Sequence, residues 1–288
     1  MQPKVYLDYT QQQLDDAYDQ RKWAANAQEV IARYTADSAA VRAAQPPRTF
    51  RYGPSADETL DWFATEKSDA PVMVFIHGGA WRSLTKEDSA APAPTFTKSG
   101  AHYVALNFGA IPKVRLPDMV AQCRRALVWV HENTRRLGGD PARLYLSGHS
   151  SGGHLSGMML TTDWTTLGGP AGLLKGGLAT SGTHDLEPAM LSARGDYLKL
   201  TPAETRTYSP IHNVDKARCP IIVAFGDRES PEFQRQSRAF FAALQERSTV
   251  PSKLVVLQGV NHFEVIETMN RPDGVLGHAA LKLMGLAV

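Results

Sequence analysis

The chain has 288 residues, of which 43% are hydrophobic, enough for one large α/β domain whose core needs no disulfide or metal. Its 31 lysine and arginine residues nearly balance 29 acidic residues, for a net charge of +2, which indicates neither nucleic acid nor an anionic membrane as a partner. The two cysteines, Cys123 and Cys219, lack metal-binding or redox spacing, so free buried thiols are expected. With no apolar leader or membrane-length run, these thiols favour a cytoplasmic protein.

The first 45 residues are polar and helix-prone. Apolar residues recur at helical spacing around Leu14 and again around Val30, so two helices are predicted before Pro46. These helices either pack on the edge of a sheet or fold over a pocket.

Beyond this N-terminal segment (residues 1–45), apolar runs typical of strands alternate with amphipathic stretches typical of helices. Strands are predicted at 48–52, 60–64, 71–76, 102–106, 143–146, 175–180, 220–225 and 252–257. Long helices are predicted at 116–137 and 232–245, and from 264 towards the end. The alternation indicates an α/β fold with a mostly parallel sheet flanked by helices. Residues 183–217 break the pattern and are expected to form a small cap insertion within a single domain, 1–288.

The strand predicted at 143–146 runs into Gly148-His149-Ser150-Ser151-Gly152, which fits G-x-S-x-G, and a helical pattern follows. Strand, sharp turn and helix in this order make a nucleophile elbow, the turn of the α/β-hydrolase fold that exposes a serine hydroxyl. Glycine is needed on both sides because a side chain would collide with the neighbouring elements. The pattern predicts Ser150 as a nucleophile.

A second motif, His77-Gly78-Gly79-Ala80-Trp81, directly follows the apolar run at 71–76. In α/β hydrolases such a loop provides half of the oxyanion hole. We expect N–H groups of Gly78 or Gly79, with that of Ser151, to bind the oxyanion. His77 is expected to shape the loop, and Ala80, Trp81 and His149 to line the substrate pocket, although Trp81 fits the core equally well.

A serine hydroxyl needs a base, and the base needs an orienting acid. Of nine histidines, His262 is best placed as the base because it follows the last predicted strand; His154 is expected to pack. The acid is expected after the strand at 220–225, where Asp227 and Glu229 both qualify, and Asp185 is a third alternative.

Several further motifs carry a family resemblance, which extends from about residue 10 to the C-terminus. They are the two motifs above, Leu116-Pro-Asp-Met-Val-Ala-Gln122, Met158-Met-Leu-Thr-Thr-Asp-Trp164, Ser181-Gly-Thr-His-Asp-Leu-Glu-Pro188, Ser230-Pro-Glu-Phe-Gln-Arg-Gln-Ser237 and Asn261-His-Phe-Glu264. Together they resemble the kynurenine formamidase (arylformamidase) branch of the α/β hydrolases.

This resemblance implies hydrolysis of N-formylkynurenine to kynurenine and formate, with no metal or organic cofactor. In that family the catalytic acid, typically Asp, immediately precedes the Ser-Pro-Glu-Phe segment, a place that Glu229 occupies here. The resemblance therefore favours Glu229 over Asp227. Ala80 departs from the family, whose members often carry Tyr there, and this change alters the expected pocket shape.

Two other functions compete with this hypothesis. A carboxylesterase acting on short-chain aryl or alkyl esters would share the triad and the oxyanion loop, and a non-catalytic binding protein would reuse the fold without a working triad. The expected partner is a small aryl formamide or ester, with no nucleic acid or membrane, and a homodimer is left open.

Overall fold

The computed structural model describes residues 3–287. The strands are β1 (Lys4–Tyr6), β2 (Tyr9–Thr10), β3 (Arg48–Arg51), β4 (Thr59–Phe63), β5 (Ala70–Ile76), β6 (His102–Leu106), β7 (Gly139–His149), β8 (Gly176–Thr180), β9 (Ile221–Gly226) and β10 (Ser252–Leu257). The helices are α1 (Gln11–Tyr18), α2 (Ala27–Ala44), α3 (Ala93–Lys98), α4 (Leu116–Thr134), α5 (Ser151–Leu160), α6 (Glu187–Leu191), α7 (Gly195–Leu198), α8 (Pro202–Thr207), α9 (Pro231–Arg247), α10 (Glu264–Glu267) and α11 (Val275–Leu283).

Eight strands form one sheet in the order β10-β9-β8-β7-β5-β6-β4-β3. All neighbouring pairs from β10 to β6 are parallel, whereas β4 runs antiparallel to both β6 and β3. The prediction of a mostly parallel sheet flanked by helices is confirmed. The carboxyl ends of the parallel strands therefore meet at one edge, where open α/β sheets bind their ligands.

The central strand β5 is buried along its whole length. Its alternate residues enter two separate cores: Val72, Val74 and Ile76 pack on one face of the sheet, and Met73 and Phe75 pack on the other. A strand covered on both faces must be apolar at every position. This is why the continuous apolar run in the sequence predicts the strand so closely.

Three elements differ from the sequence prediction. The hairpin β1–β2 was not predicted, because two- and three-residue strands leave no periodic signal. Strand β7 begins earlier than expected, at Gly139, through an irregular pairing with Ala70. The helix expected from residue 264 is divided into α10 and α11 by a turn containing Pro272, whose missing N–H cannot continue a helix.

The N-terminal segment and residues 183–217 both lie over the carboxyl edge of the sheet. Helix α1 packs against α9 and α6, and α6, α7 and α8 all fall in the insertion between β8 and β9. We call residues 183–217 the cap. Among residues 3–287, no helix combines the length and the apolar character needed to cross a membrane.

Candidate active site

Ser150 lies on a sharp turn between β7 and α5, with φ 59° and ψ −123°. A non-glycine residue rarely adopts a positive φ, and such strain persists only where the surroundings enforce it. Here the Ser150 N–H donates to the Thr180 carbonyl at 3.0 Å. The flanking glycines allow close approach, since a Cβ on Gly152 would lie 2.1 Å from the Ile76 carbonyl oxygen. The turn thus holds the Ser150 hydroxyl above the sheet.

His262 lies on the loop between β10 and α10, and its imidazole reaches Ser150. The distance from Nε2 to the Ser150 Oγ is 2.9 Å. Nδ1, on the other side of the ring, lies 3.1 Å from Oε2 of Glu229. All three side chains are buried. The structure therefore brings together the serine, the histidine and the glutamate in one hydrogen-bonded series.

The Glu229 carboxylate is held by hydrogen bonds from residues at the ends of two strands, β8 and β9. Its second carboxylate oxygen, Oε1, accepts hydrogen bonds from the Ser181 hydroxyl at 2.6 Å and from the Gly226 N–H at 2.8 Å. These two donors leave Oε2 directed at His262. A carboxylate held in this way orients the imidazole and stabilises the imidazolium that forms when it takes a proton.

The two alternative acids lie elsewhere. Oδ1 of Asp227 accepts from the Gly259 N–H at 2.7 Å, which ties together the loops after β9 and β10. Oδ1 of Asp185 accepts from the Glu187 N–H at 3.1 Å, at the start of α6. Among the described residues, Glu229 is the acid that meets His262.

The loop after β5 is pressed against the elbow. A Cβ on Gly78 would lie 2.9 Å from the His149 carbonyl oxygen and 3.1 Å from the Ser150 Cβ. The Trp81 N–H donates to the Ser151 Oγ at 3.1 Å, which anchors the loop to the start of α5. In residues 3–287, the N–H groups of Gly78, Gly79 and Ser151 have no protein acceptor, so they are free to bind an oxyanion.

Two other histidines support this region. His149 is buried, and its Nε2 donates to the His262 carbonyl at 2.7 Å; burial, with the neighbouring His262 imidazole, lowers the pKa of His149 well below its usual range. His77 bonds through Nδ1 to the Gly78 carbonyl at 2.9 Å and stacks on Phe108, and burial lowers its pKa. Both stay neutral near pH 7 and position the loops.

Ser150 and His262 open into a cavity of about 870 Å³. The N-terminal segment forms one wall of this cavity and the cap forms another. The walls include Tyr18, Tyr34, Arg194, Tyr197 and Phe263, together with Ala80 from the loop after β5.

The N-terminal segment also forms hydrogen bonds with the two loops that carry His262 and Glu229. Asn26 accepts from the Asn261 Nδ2 at 2.8 Å and donates to the Glu264 Oε1 at 2.7 Å. Gln20 donates to the Ser230 Oγ at 2.7 Å, one residue after Glu229. The segment therefore both covers the cavity and fixes two of its loops.

Comparison with known proteins identifies the family. The chain is 33% identical to the kynurenine formamidase of Salmo salar and 34% identical to that of Danio rerio, in each case over 81% of this chain and 80% of the relative. It belongs to the kynurenine formamidase family. The model of the prolyl oligopeptidase family matches residues 125–275, and the BD-FAE model matches residues 60–171.

A more distant relative and a solved structure with a similar fold extend this comparison. The chain is 26% identical to the esterase LipQ of Mycobacterium tuberculosis over 76% of its length and 57% of LipQ. Its fold resembles the esterase of Pyrobaculum calidifontis, with a TM-score of 0.71, 19% identity and coverage of 91% and 95% of the two chains. The predictions of an α/β-hydrolase fold, of a hydrolase and of membership in the kynurenine formamidase family are confirmed.

Of the three pocket residues predicted from the sequence, two line the cavity and one does not. Ala80 lines the cavity, as does His149, whereas Trp81 is 2% exposed and lies behind the wall, where its indole N–H donates to the His154 Nδ1 at 3.3 Å. The Trp81 ring packs into the hydrophobic core on one face of the sheet, on a backbone with φ 61°. Trp81 therefore belongs to the core in this member of the kynurenine formamidase family.

Sequence reasoning missed Ser181, Asn26 and Arg194. Ser181 could have been found, because it directly follows β8 at the edge where the other site residues follow their strands. Asn26 and Arg194 carry no such signal, since they approach the site only after the N-terminal segment and the cap have packed.

Proposed function

We propose that the chain hydrolyses N-formylkynurenine to kynurenine and formate through a formyl-enzyme on Ser150. The observation that carries this proposal is the series Ser150–His262–Glu229, which lies at the base of a cavity in a member of the kynurenine formamidase family. Neither step of this reaction needs a metal or an organic cofactor.

In the first step the Ser150 oxygen attacks the formamide carbon while Nε2 of His262 takes the hydroxyl proton. Negative charge develops on the carbonyl oxygen. The N–H groups of Gly78 or Gly79 and of Ser151 bind this oxyanion, and each such donor contributes about 3 kcal/mol to transition-state stabilisation.

His262 next gives its proton to the aniline nitrogen, the C–N bond breaks and kynurenine leaves. Water then loses a proton to His262 and attacks the formyl ester. His262 returns that proton to the Ser150 oxygen as the C–O bond to Ser150 breaks, and formic acid leaves, ionised as formate at neutral pH. Glu229 orients the imidazole and stabilises the imidazolium that forms twice in each cycle.

The cavity walls suit an aromatic leaving group. The residues that line the cavity include Tyr18, Tyr34, Tyr197 and Phe263, and aromatic side chains pack favourably on an aryl substrate. A formyl group is the smallest acyl group, so little space is needed beside Ser150 on the acyl side.

A carboxylesterase is the second candidate. LipQ is named an esterase, and Ala80 leaves open the space beside the oxyanion loop that a tyrosine would fill. A short-chain ester could occupy that space and react by the same two steps.

The deciding experiment compares kcat/KM for N-formylkynurenine and p-nitrophenyl acetate on the same preparation. We expect the formamide to be preferred by at least about a hundredfold. Ser150→Ala and His262→Ala should each lower turnover by about a thousandfold or more, because triad members act as a unit. Preference for the ester, with the formamide barely turned over, would assign the esterase function instead.

A further inference from the structure

Arg194 lies in the cap, between α6 and α7, and lines the cavity that contains Ser150. Three aromatic rings surround its guanidinium group. Its Cζ lies 5.2 Å from the ring centroid of Tyr18, 5.6 Å from that of Trp81 and 5.5 Å from that of Phe233. The rings hold the planar cation in one place within the cavity wall.

Within residues 3–287, one of the two terminal nitrogens of the Arg194 guanidinium group lacks a hydrogen-bond acceptor. Nη2 donates to the Tyr18 carbonyl at 2.7 Å. Nη1 is buried, and within residues 3–287 it has no acceptor; nor does any carboxylate there form an ion pair with Arg194. A buried cationic donor without a partner is unfavourable and is uncommon in native proteins. Arg194 thus has no counter-charge within residues 3–287, and a carboxylate on a molecule in the cavity that it lines would supply one.

The other charged groups around the cavity are already engaged or exposed. Asp19 pairs with Arg21 at 3.3 Å, and Asp15 accepts the Ala193 N–H at 2.6 Å. Arg82 is exposed and stacks on Tyr197, and Asp196 is exposed on the cap. Arg194 is therefore the cation best placed to receive an anionic group of a ligand.

The position of Arg194 relative to the reacting groups fits a small aryl substrate. The Phe233 ring lies against the guanidinium on one side, and it also meets the His262 ring edge-on at a centroid distance of 4.9 Å. One aromatic ring thus contacts both Arg194 and His262. Arg194, His262 and Ser150 line the same cavity, so a substrate whose scissile group is at Ser150 can extend its far end towards Arg194.

We infer that Arg194 binds the carboxylate at the end of the substrate remote from the scissile bond. This inference rests on the proposed function, because the amino-acid carboxylate of an N-formylkynurenine-type substrate is the group that Arg194 would recognise. Guanidinium and carboxylate form strong, directional, charge-assisted hydrogen bonds. Arg194 thereby selects aryl formamides that carry a carboxylate over those that lack one.

The test measures binding of the product by calorimetric titration, which requires no turnover. Kynurenine carries the carboxylate, and 2-aminoacetophenone is a neutral aryl ketone without it. We expect wild type to bind kynurenine more tightly. Arg194→Gln should raise the Kd for kynurenine about 10- to 100-fold, the effect of losing a hydrogen bond to a charged group, and should change the Kd for 2-aminoacetophenone less than threefold.

Arg194→Lys keeps the charge but not the planar guanidinium, so its kynurenine Kd should fall between those of wild type and Arg194→Gln. Arg238→Gln is the matched control, because Arg238 also lies over an aromatic ring, that of Phe225, but does not line the cavity. This control should bind both ligands as wild type does.

Equal weakening of both ligands in Arg194→Gln would make Arg194 a structural residue and overturn the inference. Equal affinity of wild type for the two ligands would overturn it as well, as would a loss found in Arg82→Gln instead. Failure of the proposed function has a different signature: kynurenine binding that depends on Arg194, in a protein that does not hydrolyse N-formylkynurenine.

Discussion

At the scale of single residues, the acid that meets His262 is a glutamate. Its longer side chain spans the distance from the end of β9 to the imidazole while Oε1 stays bonded to Ser181 and Gly226. Asp227 points the other way, to the Gly259 N–H. Two carboxylates only two residues apart therefore serve a proposed catalytic purpose and a structural one.

These two acids can be separated by amide substitutions of the same shape. Glu229→Gln should lower kcat by about a thousandfold, because a neutral amide cannot stabilise the imidazolium. Asp227→Asn should stay within about threefold of wild type, because its amide oxygen can still accept the Gly259 N–H. Steady-state kinetics on N-formylkynurenine, or on whichever substrate is turned over, provides the measurement. The opposite order would transfer the role of the acid to Asp227.

At the scale of elements, the site depends on short loops that the N-terminal segment holds from outside. The Tyr34 hydroxyl donates to the Phe263 carbonyl, and Arg33 bonds Glu267 in α10. With Asn26 these contacts fix the loop that carries His262. Helix α2 is thus a brace for the proposed catalytic base as well as a cover for the sheet.

Asn26→Ala tests this brace. Removing both side-chain hydrogen bonds should loosen the His262 loop and lower kcat about tenfold, since small errors in the position of a reacting group slow the chemical step, while KM changes less than threefold. The control is Asn133→Ala, which also removes two side-chain hydrogen bonds, one donated to the Trp129 carbonyl and one accepted from Arg136, at the end of α4. A kcat lowered equally in both variants would contradict the role of Asn26.

The turn that carries Ser150 has no room for a side chain at its glycine positions. An alanine Cβ at Gly152 would lie 2.1 Å from the Ile76 carbonyl and 2.4 Å from that of His77. Gly172→Ala is the matched control, because the nearest atom to its Cβ would be the Lys175 Nζ at 3.5 Å. Gly152→Ala should lower the free energy of unfolding by about 2 kcal/mol or more, with little change in Gly172→Ala. Urea denaturation compares them, and equal midpoints would show that the elbow tolerates a side chain.

At the scale of the whole molecule, buried histidines couple stability to pH. Burial lowers the pKa of His154 to about 4 and that of His184 to about 3. His184 is the more isolated, since in residues 3–287 neither of its ring nitrogens has a hydrogen-bond partner. Between these values and the usual pKa of about 6.5, the unfolded chain binds protons that the folded chain does not.

Stability should therefore fall as the pH drops below about 6.5, by up to about 1.4 kcal/mol per pH unit for each such histidine. Urea midpoints at pH 7 and pH 5 measure the loss. His184→Leu keeps a side chain of similar size against Phe240 and removes one titrating group, so its loss over this range should be smaller. An identical loss in the variant and wild type would exclude His184 as a contributor.

The sheet and the positions of Ser150 and His262 could be predicted because apolar runs and strand-end motifs are local signals. Glu229 and Asp227 could not be separated by spacing, since the choice depends on how the chain bends after Gly226. Arg194, Asn26 and the inward turn of Trp81 depend on packing between distant segments. No pattern within one stretch of sequence encodes such contacts.

The bond between Asn26 and Asn261 joins residues 235 positions apart. During synthesis, helix α2 emerges well before the loop that it braces. Contacts of such long range form late in folding, because closing the intervening chain costs entropy. The sheet can thus assemble before the brace engages, and we expect hydrolytic activity to be gained in the final step of folding.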